Sequence, residues 1–163
     1  MAVTSYAIAL GSNRRSRYGS PAETVRAAAD AIGAARLSRI RATAALGPAG
    51  RAFVNAVALV ESRLDPPQLL ATLKSLEADF GRRPGRRWGP RVLDLDIVLW
   101  SGGAWEGRGL VVPHPEYRLR LFVLEPLAEI APQWRDPIGG ATVRQLVHRA
   151  RRRGAVDRAG APS

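Results

Sequence analysis

The stretch "RRWGPRVLDLDIVLW", Arg86 to Trp100, places two carboxylates, Asp94 and Asp96, inside an otherwise apolar run. Read as a strand, alternation puts both on one face with Val92 and Val98. Leu93, Leu95, Ile97 and Leu99 then face a core. The two Asp Cα atoms would lie about 6–7 Å apart. At an effective dielectric near 20 the like charges repel by roughly 2.5 kcal/mol, and desolvation adds to that cost. Something cationic must balance them. Carboxylates anchor Mg²⁺, which keeps waters and shares its sphere with substrate phosphates, and an Asp-x-Asp pair suits a two-metal clamp. The alternative is a solvated strand face balanced by arginine. The preceding loop, "RRPGRRWGPR", carries five Arg and one Trp on a backbone shaped by Gly and Pro. Guanidinium groups bind phosphate well. Carboxylates for metal beside an arginine loop supply the charge neutralisation that phosphoryl transfer requires.

A second pattern is "FVNAV", where Phe53 and Asn55 share a strand face with Val57 and Leu59. Asn is depleted in strands, and a buried amide without partners costs ~1–3 kcal/mol. A flat ring beside an amide suits a planar heterocycle with an amide-like edge; an Asn bonded to neighbouring backbone is the plainer alternative. Glu77 falls about 70° from the middle of an apolar helix stripe, at ~100° per residue. It borders the core next to Leu70, or is simply a solvated helix residue. His114, in "VPHPEY", is one of two histidines; a lone His is ordinarily structural.

The elements that must carry these residues follow from local signals. "SYAIAL" reads as a strand ended by "GSN", followed by a basic loop, "RRSRYGS". Ser20, Pro21 and Glu23 form a capping box opening a helix to about Ile32. "LSRIRAT" (37–43) and "FVNAVALVES" (53–62) read as strands. Asp65, Pro66 and Gln68 open a second helix, whose stripe is Leu69, Leu73, Leu76 and Phe80; Gly81 stops it. The strand "VLDLDIVLW" comes next. "VVPHPEYRLRLFVLEPLAEIAP" reads as a short extended piece leading into a helix, and Thr142 to Gln145 as a third capping box. The order strand–helix–strand–strand–helix–strand is that of a ferredoxin-like α+β unit, here βαββαβ with an antiparallel sheet and additional C-terminal helices.

The 163 residues suit one domain, taken as 1–150 with a flexible basic tail at 151–163. No apolar run reaches the ~18 residues needed to span a bilayer, the N-terminus lacks a signal-peptide pattern, and a cytoplasmic protein is expected. There is no cysteine, which excludes disulfides and thiolate chemistry. Net charge is +11, and of 25 basic residues only Lys74 is lysine. The last fifteen residues hold five Arg against one Asp, leaving +7 for the rest. Such charge attracts nucleic acid or a polyphosphate ligand.

Taken together, "ALGSN", "FVNAV", "RRWGPRVLDLDIVLW" and "VPHPEYRLRLFVLEPLAEIAP" closely resemble the hydroxymethyldihydropterin pyrophosphokinase family of folate biosynthesis, from Tyr6 to about Arg149. The resemblance implies transfer of the terminal pyrophosphoryl group of ATP to the hydroxymethyl oxygen of a reduced pterin, releasing AMP. It implies two Mg²⁺ ions on Asp94 and Asp96, and a pterin slot with Phe53 and Phe122 as the aromatic sandwich. Asn55 matches the base-edge partner, Thr43 and Leu46 the loop contacts, and Trp88 the tryptophan that closes the site. Glu77, Arg91, His114 and Arg120 match positions that hold nucleotide and phosphates, and Arg82 a loop arginine acting on the transferring group. Departures fall mostly on the ATP side. Pro115 follows His114, Lys74 stands where Gln is found, and Arg83 and Arg86 compete for a second catalytic arginine. Phe53 replaces a common Tyr. The expected partners are small molecules, with no specific nucleic acid, no membrane and a monomeric chain.

Two other classes fit less well. "LGS" and "DLDIVL" also resemble a nucleotidyltransferase, but there the Gly-Ser and the carboxylates lie close in sequence, whereas Ser12 and Asp94 are 82 positions apart. A ferredoxin-like RNA-binding module would stack bases on exposed strand aromatics; the chain has ten aromatics and lacks the K/R-G-F-type signature.

Overall fold

A computed structural model describes residues 2–43, 53–81 and 92–160. β1 (Thr4–Ser12) leads to α1 (Pro21–Ala31), two short strands β2 (Arg36–Leu37) and β3 (Arg41–Thr43), then β4 (Phe53–Ser62) and α2 (Pro66–Asp79). β5 (Asp94–Trp100), the hairpin β6 (Trp105–Gly107) and β7 (Leu110–Val112), a 3-10 turn (Tyr117–Leu119), α3 (Leu121–Ile130) and α4 (Val143–Gly160) complete the order. β4 pairs with both β2 and β3, β1 lies between β4 and β5, and every pairing is antiparallel. With β2 and β3 together filling one strand position, this is the ferredoxin-like arrangement.

The helix starts follow the capping logic. Ser20 accepts from Glu23 N while Glu23 reaches back to Ser20 N. Asp65 and Gln68 do the same for α2, and Thr142 and Gln145 for α4. Each box satisfies two backbone donors that the first turn leaves without partners. Of the α2 stripe, Leu69, Leu73 and Phe80 are buried and Leu76 packs against their cluster.

The sheet is covered on both sides. Tyr6, Ile8 and Leu10 of β1, with Ala56, Ala58 and Val60 of β4 and Leu95 and Ile97 of β5, pack under α1 and α2. Ala7, Val57, Val98 and Leu99 pack under α3 and α4 with Leu124, Leu127, Val143 and Leu146. This accounts for one correction. Alternation predicts Leu99 beside Leu95 and Ile97, but Ala7 pairs with Leu99 and Ile8 with Ile97, so the register shifts at Val98. The extra residue of such a bulge reverses the alternation beyond it, and Leu99 joins the face that carries the Asp pair.

Three further boundaries differ from expectation. β1 continues through Gly11 and Ser12, because both extend the ladder with β4. The strand expected over 37–43 is split into β2 and β3, with the Ser38 hydroxyl accepting from Val57 N at 2.9 Å across the break. The segment from Arg151 onward, expected as a tail, continues α4 as far as Gly160; its Arg and Ala residues are strong helix formers.

Candidate active site

The strand registers bring the chemistry-bearing residues into rows. Gly11 pairs with Asn55 on one side and Asp94 on the other, and Arg41 pairs with Asn55 in turn. One line across the sheet therefore reads Arg41–Asn55–Gly11–Asp94. The next row places Ala9 between Val57 and Asp96. Adjacent strands lie ~4.8 Å apart, so Asn55 and Asp94 stand about 10 Å apart across a floor without a side chain. That floor is tight. A Cβ on Gly11 would meet Asn55 Oδ1 at 3.1 Å. Glycine inside a strand marks a close approach, which is the signal that would have identified Gly11; a reading that ended the strand at Leu10 missed it.

Asn55 is held from β3. Its Nδ2 donates to Thr43 Oγ1 at 3.4 Å, and that hydroxyl donates to Phe53 O at 3.2 Å. Phe53, opposite Thr43 at the start of β4, is 37% exposed, and Phe122, at the start of α3, is 42% exposed. Neither ring stacks on another described ring. Each of these exposed rings leaves apolar surface on which a flat ligand could stack.

Asp94 and Asp96 sit on this face at the start of β5, Asp94 half-buried and Asp96 exposed. β5 is an edge strand, and its edge is tied twice. Glu77 of α2, only 3% exposed, accepts from Leu95 N at 2.8 Å, a bond centred between the two Asp residues. The sequence left Glu77 either bordering the core or solvated, and its burial decides for the core; the bond to the Asp-bearing strand was not expected. His114 N donates to Val98 O at 3.0 Å, which sets His114 beside the same strand. Glu116 N donates to His114 Nδ1 at 3.2 Å, so in the neutral ring the proton sits on Nε2. Arg120 forms an ion pair with Glu116 and lies over the Phe122 ring, 5.6 Å from its centroid.

Thr43, Phe53, Asn55, Asp94 and Asp96 thus lie on the sheet face that α3 and α4 cover, Arg120 and Phe122 stand at the start of α3, and His114 stands beside β5. Leu46, Arg82, Arg83, Arg86, Trp88 and Arg91 lie outside the described residues. Among the described residues, no group of three His, Asp or Glu side chains could by itself enclose a metal. Two carboxylates with the rest of the sphere left to water and phosphate is the donor set Mg²⁺ takes, and the pair fits it.

Comparison with known proteins places the chain in a family. Relatives from Synechocystis sp. (45% identical over 103 residues), Pseudomonas aeruginosa (42% over 141) and Bacillus subtilis (40% over 129) are each named 2-amino-4-hydroxy-6-hydroxymethyldihydropteridine pyrophosphokinase. The matches cover 63%, 81% and 77% of this chain. The chain spans 53% of the Synechocystis relative's length, 83% of the Pseudomonas one and 77% of the Bacillus one. The wild-type HPPK-DHPS of Plasmodium falciparum superposes with a TM-score of 0.71 over 91% of this chain and 41% of that one, at 12% identity, a likeness of fold alone. The family model for 7,8-dihydro-6-hydroxymethylpterin-pyrophosphokinase matches residues 7–132, and the chain belongs to that family.

Proposed function

We propose that this chain transfers the β,γ-pyrophosphoryl group of ATP to the hydroxymethyl oxygen of 6-hydroxymethyl-7,8-dihydropterin and releases AMP, acting as a cytoplasmic monomer on small molecules. The observation that carries the reading is the Asn55–Gly11–Asp94 row, which sets an amide and an open floor beside paired carboxylates on one sheet face. In this reading the pterin lies between Phe53 and Phe122, and the Asn55 amide pairs with its ring edge. Asp94 and Asp96 hold two Mg²⁺ ions, whose contribution when bound is neutralisation of the polyphosphate charge. Trp88 and Leu46 border the pterin. Arg82 and Arg91 act on the phosphates, joined by Arg120 and the Nε2–H of His114. Glu77 serves the nucleotide side by fixing the strand that presents the Asp pair. The hydroxymethyl oxygen attacks the β-phosphorus, the bond from that phosphorus to the α–β bridging oxygen breaks, AMP leaves, and the hydroxyl proton passes to water.

The nucleotide product tests this. ATP, Mg²⁺ and the reduced pterin should give free AMP in step with a pyrophosphorylated pterin. Stoichiometric ADP would mean attack at the γ-phosphorus. Release of pyrophosphate with AMP attached to the acceptor would mean nucleotidyl transfer. Either result, or no pterin-dependent loss of ATP, overturns the proposal.

A further inference from the structure

Arg41 bridges the two walls of the proposed slot. It stands on β3 opposite Asn55, two residues before Thr43. Its guanidinium reaches α3, with Nη1 3.4 Å from Glu125 and Nη2 2.9 Å from Glu129. Arg39 adds a second tie to the same helix, its backbone N donating to Glu129 Oε2 at 2.7 Å and its Nε to Oε1 at 3.3 Å. Glu125 and Glu129 follow Phe122 by three and seven positions, so at ~100° per residue all three fall within about 60° of one another around α3. The helix that carries one aromatic wall is therefore pinned to the strand pair that carries the other.

Burial pushes the Glu129 carboxyl up, but the Arg39 and Arg41 donors outweigh it and hold the group below its ordinary value. The acid stays charged at neutral pH, so the tie persists. Exposed ion pairs add little to global stability. A single planar guanidinium shared between two carboxylates nevertheless fixes distance and angle in a way that a lone point charge does not. Such a contact sets spacing more than it stabilises the fold.

We infer that Arg41 is a positioning residue that sets the separation of the Phe53 and Phe122 walls, and with it the affinity for the flat ligand, through its fork to Glu125 and Glu129. The inference rests on the pyrophosphokinase reading and adds a determinant outside the proposed binding contacts.

The test is equilibrium titration of 6-hydroxymethyl-7,8-dihydropterin, with a non-hydrolysable ATP analogue and Mg²⁺ present, and of the analogue alone. The proteins are the parent, Arg41→Ala, Arg41→Lys and Glu129→Gln. Arg41→Ala should weaken pterin binding about tenfold, the scale of lost preorganisation. Binding of the analogue should stay within twofold of the parent and the thermal midpoint should barely move. Arg41→Lys should recover part of the loss and Glu129→Gln should reproduce part of it. A lowered midpoint with unchanged pterin affinity, or equal weakening of both ligands, would reduce Arg41 to a tie within the fold. If Arg41→Ala fails to fold, unchanged pterin affinity in both Arg41→Lys and Glu129→Gln overturns the inference just as well. A parent chain that binds no pterin brings down the functional reading and this inference with it, whereas a failure confined to the variants leaves that reading standing.

Discussion

The Asp pair and Gly11 make opposite demands on the site. Asp94 and Asp96 put like charge on a strand face where packing gains nothing from it. Asp94→Ala and Asp96→Ala should each abolish turnover at saturating Mg²⁺ while leaving the folded structure intact, read by AMP release alongside circular dichroism. Activity within tenfold of the parent in both would remove the pair from the metal role. Gly11 contributes by having no side chain. Its backbone has no positive φ, so Gly11→Ala keeps a comfortable strand conformation and acts only through the 3.1 Å approach to Asn55 Oδ1. Side chains at that distance must shift by a few tenths of an ångström. Pterin affinity should drop severalfold, roughly what a displaced hydrogen bond is worth, with ATP affinity retained. Equal loss of both, in a titration, would show that the floor is not specific to the pterin.

At the scale of elements, the edge strand β5 depends on its neighbours. Leu95 N has Glu77 as its partner, and that bond is buried. Glu77→Ala leaves a buried N–H without a partner, which costs ~1–3 kcal/mol; Glu77→Gln keeps an acceptor and should recover most of it. A thermal melt checks the stability term, and turnover at saturating substrates checks whether loosening β5 disturbs the Asp pair it carries. These ties were only partly legible beforehand. The capping boxes at Ser20, Asp65 and Thr142 could be read from local spacing, because each is satisfied within four residues. The Glu77–Leu95 bond joins residues 18 apart, and the Arg41–Glu125 and Arg41–Glu129 pairs join residues 84 and 88 apart. No local pattern encodes partners at such range. The bulge at Val98 was hidden for a related reason: the run "IVLW" after Asp96 is apolar throughout, so alternation within it carried no contrast. Asp94, Asp96 and Asn55 stood out in the sequence because their polarity contradicts the strands around them.

The molecule as a whole has an acid-sensitive fastening. Asp136, 2% exposed, lies between α3 and α4 and accepts from both Nε and Nη2 of Arg118 and from Ile138 N. Burial pushes its carboxyl up, but these donors prevail and bring it to about 2. A group depressed on folding stabilises the native state above its unfolded pKa, near 3.8, and that stability is lost as pH falls towards 2. The gap corresponds to about 2 kcal/mol. Urea midpoints between pH 6 and pH 2 should show this loss, and Asp136→Asn should have a lower midpoint at pH 6 and a flatter profile. A variant profile parallel to the parent's would assign the acid sensitivity elsewhere. Because Arg118 sits between His114 and Arg120, the same fastening holds the segment that carries both.

The central place of β1 also has a bearing on how the chain matures. β1 pairs with β4, some fifty residues later, and with β5, some ninety later. Contacts of such sequence separation form late and slow folding. During synthesis β1 leaves the ribosome with both of its edges open. One is covered when Phe53–Ser62 has emerged, and the other stays open until Asp94–Trp100 follows. An uncovered strand edge is a template for pairing with another chain. A nascent chain stalled between Ser62 and Asp94 therefore carries half a sheet, no complete Asn55–Gly11–Asp94 row, and the edge most prone to aggregate.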